Sequence, residues 1–131
     1  LAGQKIYFRE GYCVTCHQPN GKGLDPAFPS LEKSAWVEGD PNRLIKLAMY
    51  GLMGPIEVNG KKYDGQVPMT PFAGMLNDAE MASALTFVRN SFGNRQPPIS
   101  ADQVAKVREM YPSRVTFFTS EEILKDHPLE K

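Results

Sequence analysis

Apolar and polar residues follow a helical period in several short runs along this chain, separated by stretches rich in glycine and proline. Residues 3–12 read as a short helix, with Ile6 and Phe8 as candidate inward residues. From Gln18 to Pro29 the prolines and glycines (Pro19, Gly21, Gly23, Pro26, Pro29) mark a loop. Asp40-Pro41 marks a helix start, because Asp accepts from free N–H groups and Pro lacks an N–H that would have no partner there. Leu44, Ile45, Leu47 and Ala48 give that helix an apolar side, and Gly51 suits its end. Val58-Asn59-Gly60-Lys61 carries the Asn-Gly signal of a two-residue hairpin, predicting a small β-ribbon over 56–64. Residues 65–76 are irregular, with Pro68 and Pro71.

Asn77 and Glu80 form a capping-box pattern ahead of a helix over 77–92, whose Met81, Ala84, Leu85, Phe87 and Val88 make the clearest amphipathic stripe. Ser100 and Gln103 repeat the box and open a helix to about Tyr111. Residues 115–118 suit a short extended segment, and Ser120 begins a last helix with Glu121 and Glu122 in its first turn, where negative charge is favourable.

The 131 residues fit one domain, and 15 basic against 15 acidic residues give zero net charge, which argues against a nucleic-acid binder. No stretch approaches the roughly 20 apolar residues of a membrane span. The first residues hold no basic region followed by an apolar run, so no signal peptide is expected there, and Leu at position 1 suggests a processed chain or a fragment.

The chemistry gathers at Cys13-Val14-Thr15-Cys16-His17. These are the only two cysteines, too few for a disulfide framework and short of ligands for a tetrahedral zinc site. A thioredoxin-like pair would be expected within a βαβ pattern, and none is visible. Cys-x-x-Cys-His is the attachment motif of c-type haem. Thiols about one helical turn apart can reach both vinyl groups of one porphyrin, and the following imidazole can face the iron.

A free sixth position would suit a haem enzyme or gas sensor, whereas a methionine there favours electron transfer. Of six methionines, Met49, Met81 and Met110 fall on helical faces where packing is the ordinary role, and Met53 fits loop or core. Met69 and Met75 are the contenders, and spacing favours Met69 only slightly. Trp36 and Tyr63 carry polar handles that suit haem propionates or ordinary half-buried aromatics equally. Arg43 reads as part of a solvated helix face more readily than as a propionate partner, and His127 as a surface histidine.

Several segments resemble class I cytochrome c. They are the Cys13–His17 motif with Gly21-Lys22-Gly23, Pro29-Ser30-Leu31, the Gly65–Phe72 loop, and Leu76-Asn77-Asp78-Ala79-Glu80. The run Leu85–Asn94 is similar to haem domains linked to bacterial dehydrogenases and multidomain oxidoreductases. The resemblance spans roughly residues 3–94. It implies an all-α class I cytochrome c fold over residues 1–94, with residues 95–131 as a C-terminal extension packed on that domain or leading to a partner domain. It also implies one covalent haem c, thioethers at Cys13 and Cys16, and iron ligation by His17. Met69 matches the distal ligand, and Pro29 matches the proline whose carbonyl accepts the other ring N–H of His17. Phe8 and Phe87 match the aromatics where the first and last helices cross, although Gly3 stands one residue farther from Phe8 than the usual spacing. The expected function is electron transfer in a periplasmic or otherwise extracytoplasmic compartment. The partner would be a redox protein (dehydrogenase, reductase or oxidase), and the chain itself would not be an enzyme.

Overall fold

The computed structural model describes residues 2–9, 12–24, 28–63, 69, 71–111 and 117–129. Helices α1 (Ala2–Tyr7) and α2 (Cys13–His17) come first, followed by α3 (Pro41–Tyr50). Strands β1 (Leu52–Met53), β2 (Ile56–Val58) and β3 (Lys61–Tyr63) precede α4 (Asp78–Arg89), and α5 (Ala101–Met110), β4 (Phe118–Thr119) and α6 (Ser120–Asp126) close the chain. The helix starts are set by side chains as the sequence predicts. Asp40 accepts from the Asn42 N–H at the head of α3, and Asn77 with Glu80 and Ser100 with Gln103 form reciprocal capping boxes on α4 and α5. The Asn59-Gly60 turn joins β2 and β3 as the expected antiparallel ribbon, ending at Tyr63.

The first helix is shorter than the 3–12 expectation and ends at Tyr7, with the chain turning at Phe8 and Arg9. Its register also corrects the inward residue. Tyr7 is fully buried, whereas Phe8 is 41% exposed and covers the Phe87 ring from outside. Tyr7 stands four residues after Gly3, so the odd spacing from Gly3 to Phe8 disappears once Tyr7 takes the inner place. Gly3 has a steric reason: a Cβ there would strike the Ser83 carbonyl of α4 where the two helices cross. Helix α4 stops at Arg89, earlier than the predicted 92.

One continuous core joins Ile6, Leu44, Met49, Met81 and Leu85 to Val104, Val107, Phe118 and Ile123 of the C-terminal segment. There α5 packs on α3 and α4, and α6 packs on α3. β4 pairs in parallel with β1, Leu52 opposite Phe118. Phe118 of the predicted 115–118 run lies in β4, and 115 and 116 lie outside the described residues. This segment covers the α3 face that the polar pattern leaves to solvent. Arg43 is consequently not solvated: it is 0% exposed and donates through Nη2 to the carbonyls of Ala35 and Glu38 (both 2.8 Å) and through Nη1 to that of Pro128 (3.1 Å). Lys46 is buried too, its Nζ 5.3 Å from the Tyr111 ring centroid. His127 is no free surface residue either, because its Nδ1 lies 2.6 Å from Asp40 Oδ2 at the head of α3. Met110, expected to pack, faces solvent.

Candidate haem site

Helix α2 sets the two thiols and the imidazole on one turn beside α1. Tyr7 Oη donates to the Gln18 carbonyl at 2.7 Å, tying the end of the motif to the α1–α4 crossing, and the Tyr7 ring packs against those of Phe87 and Phe92. Burial, with the neighbouring Cys13, raises the Tyr7 phenol above its ordinary range, so it remains a neutral donor.

His17 is buried, and its Nδ1 lies 2.8 Å from the Pro29 carbonyl oxygen. A carbonyl can only accept, so Nδ1 carries the proton and Nε2 keeps its lone pair. Burial, only partly opposed by the bond to Pro29, lowers the pKa of the imidazole and so favours the neutral ring that can ligate a metal. Gly23 makes this approach possible. Its N–H donates to the His17 carbonyl at 3.0 Å, its φ is +70°, and a Cβ would strike the carbonyls of Phe28 and Pro29. Sequence reasoning placed Gly23 in the loop without a role. The signal was its position between His17 and Pro29, where the backbone has to double back.

Burial pushes the Cys13 thiol up to about 11, with the nearby Cys16 adding to the rise and its own backbone opposing it, and burial raises Cys16 as well. A thiol-exchange pair needs the opposite shift, toward thiolate, so the environment disfavours the thioredoxin-like reading. The two cysteines are not joined in a disulfide.

Cys13, Cys16 and His17 line a cavity of about 230 Å³ whose other walls carry Leu44, Leu47, Ala48, Val58, Leu85 and Val88. Such walls suit a large flat apolar group with one or two polar anchors better than water. Pro29 and Met69 line the same cavity. Met69 is held there by its backbone, the N–H donating to the Leu52 carbonyl at 2.8 Å. Met75 is 47% exposed and lies outside the cavity, while Met81 is buried and does line it. Residues 65–68 of the predicted methionine loop, and Thr70, lie outside the described residues. Trp36 spends its indole N–H on the Glu57 carbonyl at 2.9 Å, which removes it as a free donor, while Tyr63 is buried on the cavity wall. Among the described residues no cluster of three or more His, Cys, Asp or Glu side chains is placed to hold a metal ion.

An apolar cavity with two thiols and a lone-pair imidazole on one wall defines a site for covalently attached haem. The family model for cytochrome c matches residues 1–92, and the chain belongs to the cytochrome c family. It is 38% identical over 115 residues to cytochrome c-552 of Thermus thermophilus, covering 81% of this chain and 83% of that one. It is 33% identical over 114 residues to the fructose dehydrogenase cytochrome subunit of Gluconobacter japonicus. Identity is 31% over 109 residues to the cytochrome c subunit of the quinone alcohol dehydrogenase of Gluconobacter oxydans. The matches cover 81% and 82% of this chain but only 22% of each dehydrogenase subunit. The cofactor is a single covalent haem c, with Cys13 and Cys16 fitting its attachment motif, and the function is haem-based electron transfer. No helix among the described residues is long and apolar enough to cross a membrane.

Proposed function

We propose that this chain is an electron carrier or relay domain whose haem iron is closed on both faces, by His17 and by Met69. The observation that carries this reading is the presence of Met69 and His17 on the walls of one cavity that also holds both cysteines. When bound, the haem supplies a one-electron couple at iron. The residues do the rest. His17, oriented by Pro29, donates through Nε2, and a thioether from Met69 favours the reduced metal and raises the potential. The apolar walls exclude water.

Residues 1–94 form the haem domain in this reading, of the class I type, and residues 95–131 an extension packed on it. Cysteines joined to haem imply assembly outside the cytoplasm, in a bacterial periplasm or an equivalent compartment. The likeness to cytochrome subunits of alcohol and fructose dehydrogenases supports a dehydrogenase as electron donor, met through a small, weak interface.

Absorption spectra of the ferric protein test the ligand assignment. The weak sulfur-to-iron band should vanish in Met69→Ala, with a fall in potential, and persist in Met75→Ala and Met81→Ala. Loss of the band in either of the latter two, with retention in Met69→Ala, overturns the assignment. A five-coordinate spectrum of the untreated protein would instead favour an open iron site acting on small molecules.

A further inference from the structure

Between Met69 and α4 the chain makes a tight turn, described from Pro71 to Asn77, that no regular element contains. Two different neighbours hold it. From one side α3 accepts its amides, Phe72 N–H donating to the Ala48 carbonyl (3.1 Å) and Ala73 N–H to the Met49 carbonyl (2.9 Å). From the other side a single guanidinium takes its outward oxygens. Arg108, on α5, donates through Nη1 to the Ala73 carbonyl (2.7 Å), through Nη2 to the Leu76 carbonyl (3.1 Å) and through Nε to Asp78 Oδ1 (2.8 Å). The turn also reaches the attachment motif, because the buried Phe72 ring stacks on Tyr12, next to Cys13, at 5.4 Å and 20°.

We propose that Arg108 is a positioning residue that keeps Met69 over the haem by locking the turn behind it. The proposal rests on the reading of Met69 as the sixth ligand. Arg108 lies outside residues 1–92, the span that the family model matches. The planar fork explains the choice of residue. Its donors are fixed relative to one another, so two carbonyls and a carboxylate are held at set spacings. A lysine would keep the charge and lose the spacing. Once the fork is removed the carbonyls of Ala73 and Leu76 turn to water, and the turn gains freedom on its outer side only. The amides of Phe72 and Ala73, still bonded to α3 carbonyls, then act as a hinge. A sulfur that leaves the iron more often admits competing ligands in proportion to the open fraction.

The test is the rate at which cyanide binds the intact ferric haem protein, together with hydrogen exchange at the amides of Phe72 and Ala73. Arg108→Lys and Arg108→Ala should both bind cyanide faster, by roughly tenfold, the scale of losing charge-assisted hydrogen bonds. Exchange at the two amides should stay near the wild-type rate, because their bonds to α3 form the hinge. Ile123→Ala serves as a control: it opens a gap in the buried face of α6 and lowers the melting temperature, but should leave cyanide binding at the wild-type rate. In the Met69→Ala background, adding Arg108→Ala should change the cyanide rate no further. Retention of the sulfur-to-iron band in Met69→Ala would remove the ligand reading, and this proposal with it. Loss of that band in Met69→Ala with wild-type cyanide binding in Arg108→Lys would overturn the positioning role alone. An equal acceleration in Ile123→Ala would overturn it too, because general loosening would then be the cause.

Discussion

The wall of the cavity and the C-terminal segment are held in contrasting ways. Around the cavity the chain offers Leu44, Leu47, Val58, Leu85 and Val88, apolar side chains that line one shared space. The C-terminal segment is pinned by arginines whose donors end on backbone carbonyls and, for Arg108, also on the Asp78 carboxylate. Arg43 holds Pro128, Arg89 holds Pro97 together with Val37 and Gly39, and Arg108 holds Ala73 and Leu76. Arg43 and Arg89 are buried. Irregular chain cannot satisfy its own carbonyls, and an arginine fork serves several at once. The difference teaches where each region gets its stability: the first from a cofactor that supplies apolar surface, the second from hydrogen bonds that need no cofactor but depend on α3 being in place.

Removing the anchor is the severest way to break this comparison. Cys13→Ala with Cys16→Ala should yield protein that releases its haem into acidified organic solvent and, freed of haem, loses cooperative folding altogether, about 5–15 kcal/mol for a domain of ordinary stability. Circular dichroism would register the loss. A sharp thermal transition in the haem-free variant would show that the arginine-pinned region suffices alone.

The pins themselves come next in magnitude. Arg43→Met keeps most of the side-chain volume but abandons the carbonyls of Ala35, Glu38 and Pro128. We expect a loss of about 3 kcal/mol, read from the urea midpoint at unchanged slope. A loss below about 0.5 kcal/mol would mean that water replaces the guanidinium without penalty.

The smallest effect is a pH dependence. Burial pushes the Asp40 carboxyl up, but the Asn42 N–H, His127 and Arg43 outweigh it and hold the carboxyl below its ordinary value. A lowered folded-state pKa stabilises above the unfolded value, near 3.9, and that contribution disappears as the pH falls through the lower one. Asp40→Asn should therefore narrow the gap between the melting temperatures at pH 5 and pH 2. An unchanged gap would show that other carboxylates govern acid unfolding.

Much of this was legible along the chain because the deciding groups are close in sequence. The capping boxes at Asn77 and Ser100, the Asn59-Gly60 turn and the Cys13–His17 motif each lie within a few residues, and each stands where the pattern predicts. Pro29 was reachable through family likeness, and its carbonyl meets His17. What escaped depends on distant partners. Arg43 reads as a solvated residue until α6 and the tail cover α3, and His127 as a surface group until Asp40 is beside it. Helical period alone could not choose between Tyr7 and Phe8 in so short a helix. Burial of Tyr7 decides, through the hydroxyl bond to Gln18 as much as through the ring.

The bond between Asp40 and His127 joins residues 87 positions apart. Contacts of that span wait on closure of a large loop, whose entropy is lost before any gain from the contact, and they tend to form slowly. Cys13 and His17 belong to the opposite regime, with every donor and acceptor of their turn nearby. During folding, the attachment motif can therefore take shape while the tail is still loose. The Arg43 contact with Pro128 spans 85 positions and belongs to the slow regime.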